Sequence, residues 1–338
     1  TLAIYEKKYA EIFPTLSEYT NNRIQLGRIV FITKRKYSRE FPELIQRVAD
    51  SMPPYVPNQQ KSVPAEIATL QLRAYLAATM RDTNEAAHYH QYLYNFIKEL
   101  PEPLHTENKK IYYNGMINII NNSGDVKQSL AMAKQYNNIQ EADRKYLTSY
   151  DYIYVASSQI SAYLSLGLLE DCRRCIEALP EQIDYPNKTI SNLMQYDFAL
   201  FHYASGAYDK SLDLLDVLLL DKSGTKSINS SSLLKIVILY EQEEYLLLSS
   251  YLNNVRRNFK KKEVLFEFDK GFISLINKLI SLPKKEHKNA LIVFRTELKE
   301  FLKNADLMQG EILVYFNYIG WLDYQIDGTE FNKFHLWN

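Results

Sequence analysis

Three segments of this chain are variations on one pattern: Gly124-Asp125-Val126-Lys127-Gln128-Ser129-Leu130, Gly167-Leu168-Leu169-Glu170-Asp171-Cys172-Arg173 and Gly206-Ala207-Tyr208-Asp209-Lys210-Ser211-Leu212. Each follows an amphipathic helical stretch and opens another. Recurrence at a spacing of about 20–50 residues marks a stacked repeat, because one unit cannot cover its apolar face and leans on the next. Degenerate copies flank the set at Arg81-Asp82-Thr83-Asn84-Glu85-Ala86 and Glu243-Glu244-Tyr245-Leu246-Leu247-Leu248. Taking residues 81, 124, 167, 206 and 243 as phase points gives spacings of 43, 43, 39 and 37 residues.

Prolines stand where helices should start or stop: Pro53, Pro54, Pro57 and Pro64, then Pro101 and Pro103, then Pro180 and Pro186, then Pro283. Between those points no proline breaks the pattern, as expected when a mid-helix proline costs about 3 kcal/mol. Apolar residues recur at helical spacing in nearly every interval, as with Phe198, Leu200 and Phe201, then Leu215, Leu218 and Leu219. The chain is predicted all-α, with helices near 3–19, 22–36, 41–52, 63–81, 84–99, 105–122, 125–136, 140–166, 168–179, 187–205, 208–220, 229–242, 244–258, 263–281, 286–304 and 308–326. Only 10 Gly and 11 Pro in 338 residues fit this class and argue against a loop-rich all-β fold.

The turn pattern resembles the tetratricopeptide repeat family, a 34-residue helix A, turn, helix B unit. Its turn runs glycine, any residue, an aromatic, two polar residues, a small residue and an aliphatic. Gly206, Tyr208, Asp209, Lys210, Ser211 and Leu212 follow that order, Gly124, Val126, Ser129 and Leu130 less fully, and in the third copy Arg173 replaces the aliphatic. The resemblance implies a right-handed α-solenoid of antiparallel helix pairs. It sets N-terminal helices over 1–62, repeats over 63–262 and capping helices over 263–338, with Phe316, Ile319, Trp321 and Leu322 closing the seam. From Leu233 onward, Leu234-Lys235-Ile236, Tyr240-Glu241, Tyr245, the run Arg256 to Lys262 and Phe272-Ile273 resemble the C-terminal part of uncharacterised bacterial helical-repeat proteins, which carry no assigned activity.

In the repeat family, helix A lines a concave face, and ligand-contacting side chains recur at fixed offsets before the turn. Those offsets select Gln71, Tyr75, Asn114, Asn118, Ser157, Ser161, Tyr196 and Leu200, with Asn121 and Tyr203 one turn further on. Asn and Tyr can hydrogen-bond an extended backbone, and Tyr adds apolar area. The resemblance therefore implies a non-catalytic scaffold that binds a protein or peptide segment.

Other chemistry is thinly represented. Lys+Arg and Asp+Glu both number 40, so the large basic excess of a dedicated nucleic-acid binder is missing. A local patch at Arg256, Arg257, Lys260, Lys261 and Lys262 is the strongest charge cluster and the alternative docking point, for an acidic partner or a phosphate backbone. Cys172 and Cys175 lack the second pair that a zinc site needs, and Cys172 falls on the small-residue position of the repeat. His88 and His90, two apart on a helix, lie on different faces. With no phosphate-binding, dinucleotide or nucleophile-elbow motif, no metal, cofactor or catalytic residue is expected. A Tyr-rich pocket for a small ligand or sugar is a further alternative. No run approaches the ~20 apolar residues of a membrane helix. No secretory leader opens the chain, which points to the cytoplasm, although a start at Thr1 is compatible with an earlier segment removed.

Overall fold

The computed structural model describes residues 24–25, 29, 41–52, 55–56, 62–80, 82–122, 125–179, 188–220, 225–261, 267–304 and 316–328. All regular secondary structure among the described residues is helical. None of these helices is long and apolar enough to cross a membrane. The helices expected at 3–19 and 22–36 fall almost entirely outside the described residues, as do phase points 81 and 124. The chain divides into two compact units, Thr1–Leu147 and Thr148–Asn338.

The first unit contains α1 (Phe41–Asp50), α2 (Val63–Thr79), α3 (Thr83–Lys98), α4 (Leu104–Glu107), α5 (Lys109–Asn122), α6 (Val126–Asn137) and a 3₁₀ turn, η1 (Glu141–Tyr146). Side-chain caps start three of them. Ser62 Oγ accepts from Ala65 N at 3.3 Å and Asp82 Oδ1 from Glu85 N at 2.9 Å. Asp125 Oδ1 takes the amides of Lys127 and Gln128 at 2.9 and 3.3 Å. Each cap satisfies amides that the first turn leaves unbonded. Ile45 and Val48 of α1 cluster with Leu72 and Leu76 of α2, while Ile67 and Leu70 on its other side meet Leu93 and Ile97 of α3. The helix expected over 105–122 is interrupted at Asn108, whose Nδ2 donates to Leu104 O at 2.8 Å. Asparagine competes in this way for the backbone groups that continue a helix.

The helix expected over 140–166 is likewise two elements. η1 ends at Tyr146, and Thr148 opens the second unit with a reciprocal cap: Asp151 N donates to Thr148 Oγ1 at 3.3 Å, and Thr148 N to Asp151 Oδ2 at 2.8 Å. The second unit then runs α7 (Ser149–Ser165), α8 (Leu169–Glu177), α9 (Lys188–Ala204), α10 (Tyr208–Leu220), α11 (Thr225–Glu241), α12 (Tyr245–Lys261), α13 (Glu267–Ser281), α14 (Lys284–Asn304) and α15 (Tyr318–Asp327).

Three of its turns share one geometry. Gly167, Gly206 and Glu243 have φ of 68°, 73° and 59°. The next amide in each case reaches back five residues: Leu168 N to Tyr163 O at 2.9 Å, Ala207 N to His202 O at 2.9 Å, and Glu244 N to Leu239 O at 3.0 Å. That is the helix-ending arrangement in which a left-handed residue lets the chain close on its own free carbonyls. Asp82 N to Ala77 O, at 3.0 Å, has the same spacing in the first unit. Five residues past each phase point the chain is buried. Ser211 Oγ donates to Ala199 O at 2.8 Å and Ser129 Oγ to Ile120 O at 2.6 Å, while Cys172 Sγ lies 4.0 Å from Ile160 O. At 129 and 211 the serine hydroxyl fastens its helix to a carbonyl of the preceding one.

Gly206→Ala should cost about 1 kcal/mol in chemical denaturation, because no atom lies within 4 Å of the added Cβ and only the left-handed backbone objects. Glu243 already bears that backbone cost, so Glu243→Gly should relax it and lose a solvent-screened ion pair with Lys284.

One apolar core extends through the second unit from Ile153 to Ile326. α11 lies within it, packed on α9, α10 and α12. Leu233, Leu234, Ile236, Val237, Ile238 and Leu239 are all at most 1% exposed, so over that stretch only Lys235, paired with Asp216, breaks an apolar surface all round the helix. α15 packs on α14 and sends Trp321 into the core, edge-on to Tyr240 at 5.9 Å and Phe272 at 5.7 Å.

Candidate functional site

The positions expected to line a groove are dispersed. In the first unit, Gln71, Asn114, Asn118 and Asn121 are half-buried, and Tyr75 is 37% exposed. In the second unit, Ser161 is half-buried, but Ser157, Tyr196 and Tyr203 are interior. The reason is packing of one A helix against the next: α7 lies on α9, so Ser157 donates to Asp197 Oδ2. Burial pushes the Asp197 carboxyl up to about 7, against the opposing pull of the Ser157 hydroxyl. Arg256, Arg257 and Lys260 are exposed in the last turns of α12, where cations complement the helix dipole. Lys262 and the side chain of Lys261 lie outside the described residues.

Cys172 and Cys175 are both free thiols, raised by burial, Cys175 to about 11. His88 is exposed and His90 buried on the same helix, with His90 lowered by burial to about 4. Among the described residues no group of three or more His, Cys, Asp or Glu is arranged to hold a metal.

The concentration of polar chemistry in the second unit is elsewhere, in a cleft of about 530 Å³. The start of α10 contributes Tyr208, and the α11–α12 turn contributes Tyr240, Glu241, Glu243 and Tyr245. The first turns of α14 add Lys284, His287 and Lys288, and the end of α15 adds Tyr324 and Gln325.

Glu241 organises the inner wall. Its Oε1 accepts from Tyr203 Oη at 2.8 Å, from Trp321 Nε1 at 3.0 Å and, at the outer limit, from Gln325 Nε2 at 3.5 Å. Its Oε2 accepts from Tyr208 Oη at 2.9 Å. One carboxylate thus ties together α9, α10, α11 and α15. Burial, and then the Glu241 charge, hold the Tyr203 and Tyr208 phenols above their ordinary value, so both remain protonated donors.

A second chain of bonds fixes the imidazole. His287 Nε2 lies 3.0 Å from Leu282 O, which can only accept, so that nitrogen carries the proton. Nδ1 on the other side of the ring is hydrogen-bonded with Tyr240 Oη at 3.1 Å. At the rim, Lys284 pairs with Glu243 at 2.6 Å and Lys288 with Asp327 at 3.5 Å, all four side chains well exposed. The Glu243 carboxylate raises the Lys284 ammonium. Arg295 joins α14 to α15 through Asp323 at 2.5 Å and Asp327 at 3.8 Å.

Compared with protein-family models, with curated proteins and with solved structures, the chain finds no match in any of the three.

No groove position selected by repeat offsets lines this cleft, though Tyr203 reaches it from behind through Glu241. The signal that could have found it was the adjacent Tyr240-Glu241 and Tyr245 around phase point 243, where glutamate stands in the place of glycine. A glutamate there bears a left-handed backbone that glycine would adopt without strain. The wall supplied by α15 carries no local signal.

Proposed function

We propose that the chain is a non-catalytic binding scaffold: tetratricopeptide-like helix pairs that follow a right-handed α-solenoid path within each unit and hold a segment of a partner protein. The observation that carries this reading is the recurrence of one turn at Gly167, Gly206 and Glu243, over a core continuous from Ile153 to Ile326. Units that repeat a turn and share a seam are built to extend a surface, and such surfaces serve binding. The partner segment would meet Tyr75, Gln71 and Asn114, whose rings and amides suit an extended backbone better than a closed active site.

The test is site-specific photo-crosslinking in the native cell, with a reactive side chain introduced at 75, at 114 or at Val293, an exposed position on α14. One partner polypeptide should be captured from 75 and 114 and not from 293. Equal capture from all three positions, or capture from 293 alone, would reject the reading.

A further inference from the structure

We infer that the cleft formed by α10, the α11–α12 turn, α14 and α15 is a binding site for a neutral carbohydrate of one or two rings. This goes beyond the peptide reading and does not depend on it. The volume of about 530 Å³ falls within the roughly 300–1,000 Å³ of small-molecule sites.

Charge selects among ligands. The cleft sets Lys284 and Lys288 against Glu241 and Glu243, and each lysine is within 4 Å of a carboxylate, Lys288 reaching Asp327. An anion entering would face Glu241 and Glu243, and a cation would face the two lysines. A neutral polyol meets a donor and an acceptor together, and needs no ion pair to dissolve.

The hydroxyl chemistry points the same way. Tyr208 has committed its proton to Glu241, and the Tyr240 hydroxyl is bonded with the His287 ring, which leaves a lone pair on each phenol oxygen to accept. They suit the O–H groups of a sugar, while the ammonium groups suit its ring and hydroxyl oxygens. Tyr245, half-buried, and Tyr324, 38% exposed, add flat rings for the C–H face of a pyranose. The inner wall is rigid before any ligand arrives, because Glu241 is held from three neighbouring helices.

Glu243 gives the test its control. It occupies a left-handed position held by glycine at 167 and 206, so Glu243→Gly deletes a rim acceptor while easing the backbone. The whole chain is screened on an array of neutral, sialylated and sulfated glycans. The neutral disaccharide retained best is then titrated by calorimetry into wild type, Glu243→Gly and Tyr245→Ala. Neutral glycans should be retained, and each variant should weaken binding at least tenfold, with the unfolding midpoint of Glu243→Gly unchanged or raised. A blank array, retention of charged glycans alone, or unchanged affinity in both variants would overturn the proposal. So would a peptide, in place of a sugar, protecting Lys284 and Lys288 from amine acylation.

Discussion

Glu241→Ala lowers the stability of the Thr148–Asn338 unit by about 2–5 kcal/mol, because it leaves two buried neutral donors unsatisfied at about 1–3 kcal/mol each. The substitution deletes few apolar contacts. Its cost comes from the donors left behind: the Tyr203 hydroxyl, in a side chain 0% exposed, and the indole N–H of Trp321, also 0% exposed, both of which give their protons to Oε1. Neither can turn to water without opening the contact of α15 with the core. Glu241→Gln should cost less, about 1–3 kcal/mol, because one oxygen remains and the Tyr208 hydroxyl can rotate to accept from the new amide. Trp321 is 0% exposed in the core of the second unit, so the change in its fluorescence in urea follows the unfolding of that unit. A Glu241→Ala midpoint equal to wild type would show that the carboxylate holds nothing together.

The second large effect depends on pH and reverses the usual direction of a core substitution. Asp197→Asn should leave stability unchanged near pH 4 and raise it, by up to about 4 kcal/mol, at pH 8. Asp197 is 4% exposed on α9, which packs on α7, with the Ser157 hydroxyl for a partner and the Cys172 thiol, raised by burial, close enough to feel its charge. Burial holds its carboxyl up to about 7, against about 3.9 in an unfolded chain. Between those values the folded state keeps a proton that the unfolded state has released. Stability is therefore fully present below about pH 4 and is lost as pH rises toward 7, at up to about 1.4 kcal/mol per unit. Asparagine has the same shape, hydrogen-bonds to Ser157 and carries no charge to desolvate. Thermal midpoints of both proteins at pH 4, 6 and 8 decide the matter. Parallel profiles would mean that Asp197 is solvated in the native state.

The parts of this fold that could be read from residue order are those governed by a few neighbours. The all-helical class followed from apolar spacing and proline placement, and most helix ends lie within a few residues of expectation. The breaks at Asn108 and Thr148 were missed although their signals are local. Thr148 and Asp151 stand three apart, the spacing of a reciprocal cap, and that cap begins the second unit. The apolar period simply runs on through such a break, and reading it alone hides the boundary.

Site prediction by offset reached further than its physical basis. An offset names a face of a helix, but whether that face meets solvent depends on what packs there. Ser157 and Tyr196 lie on faces that adjoining helices cover, whereas Tyr75 remains open. Caps, turns and the small residues beyond them are dictated by the chain's own order, since each is a bargain among atoms within about a dozen residues. The cleft and its carboxylate hub are not, because Trp321 and Glu241 stand 80 positions apart and no local preference records their meeting. Long-range packing alone decides which polar groups share a wall, and through that which ligand the wall suits.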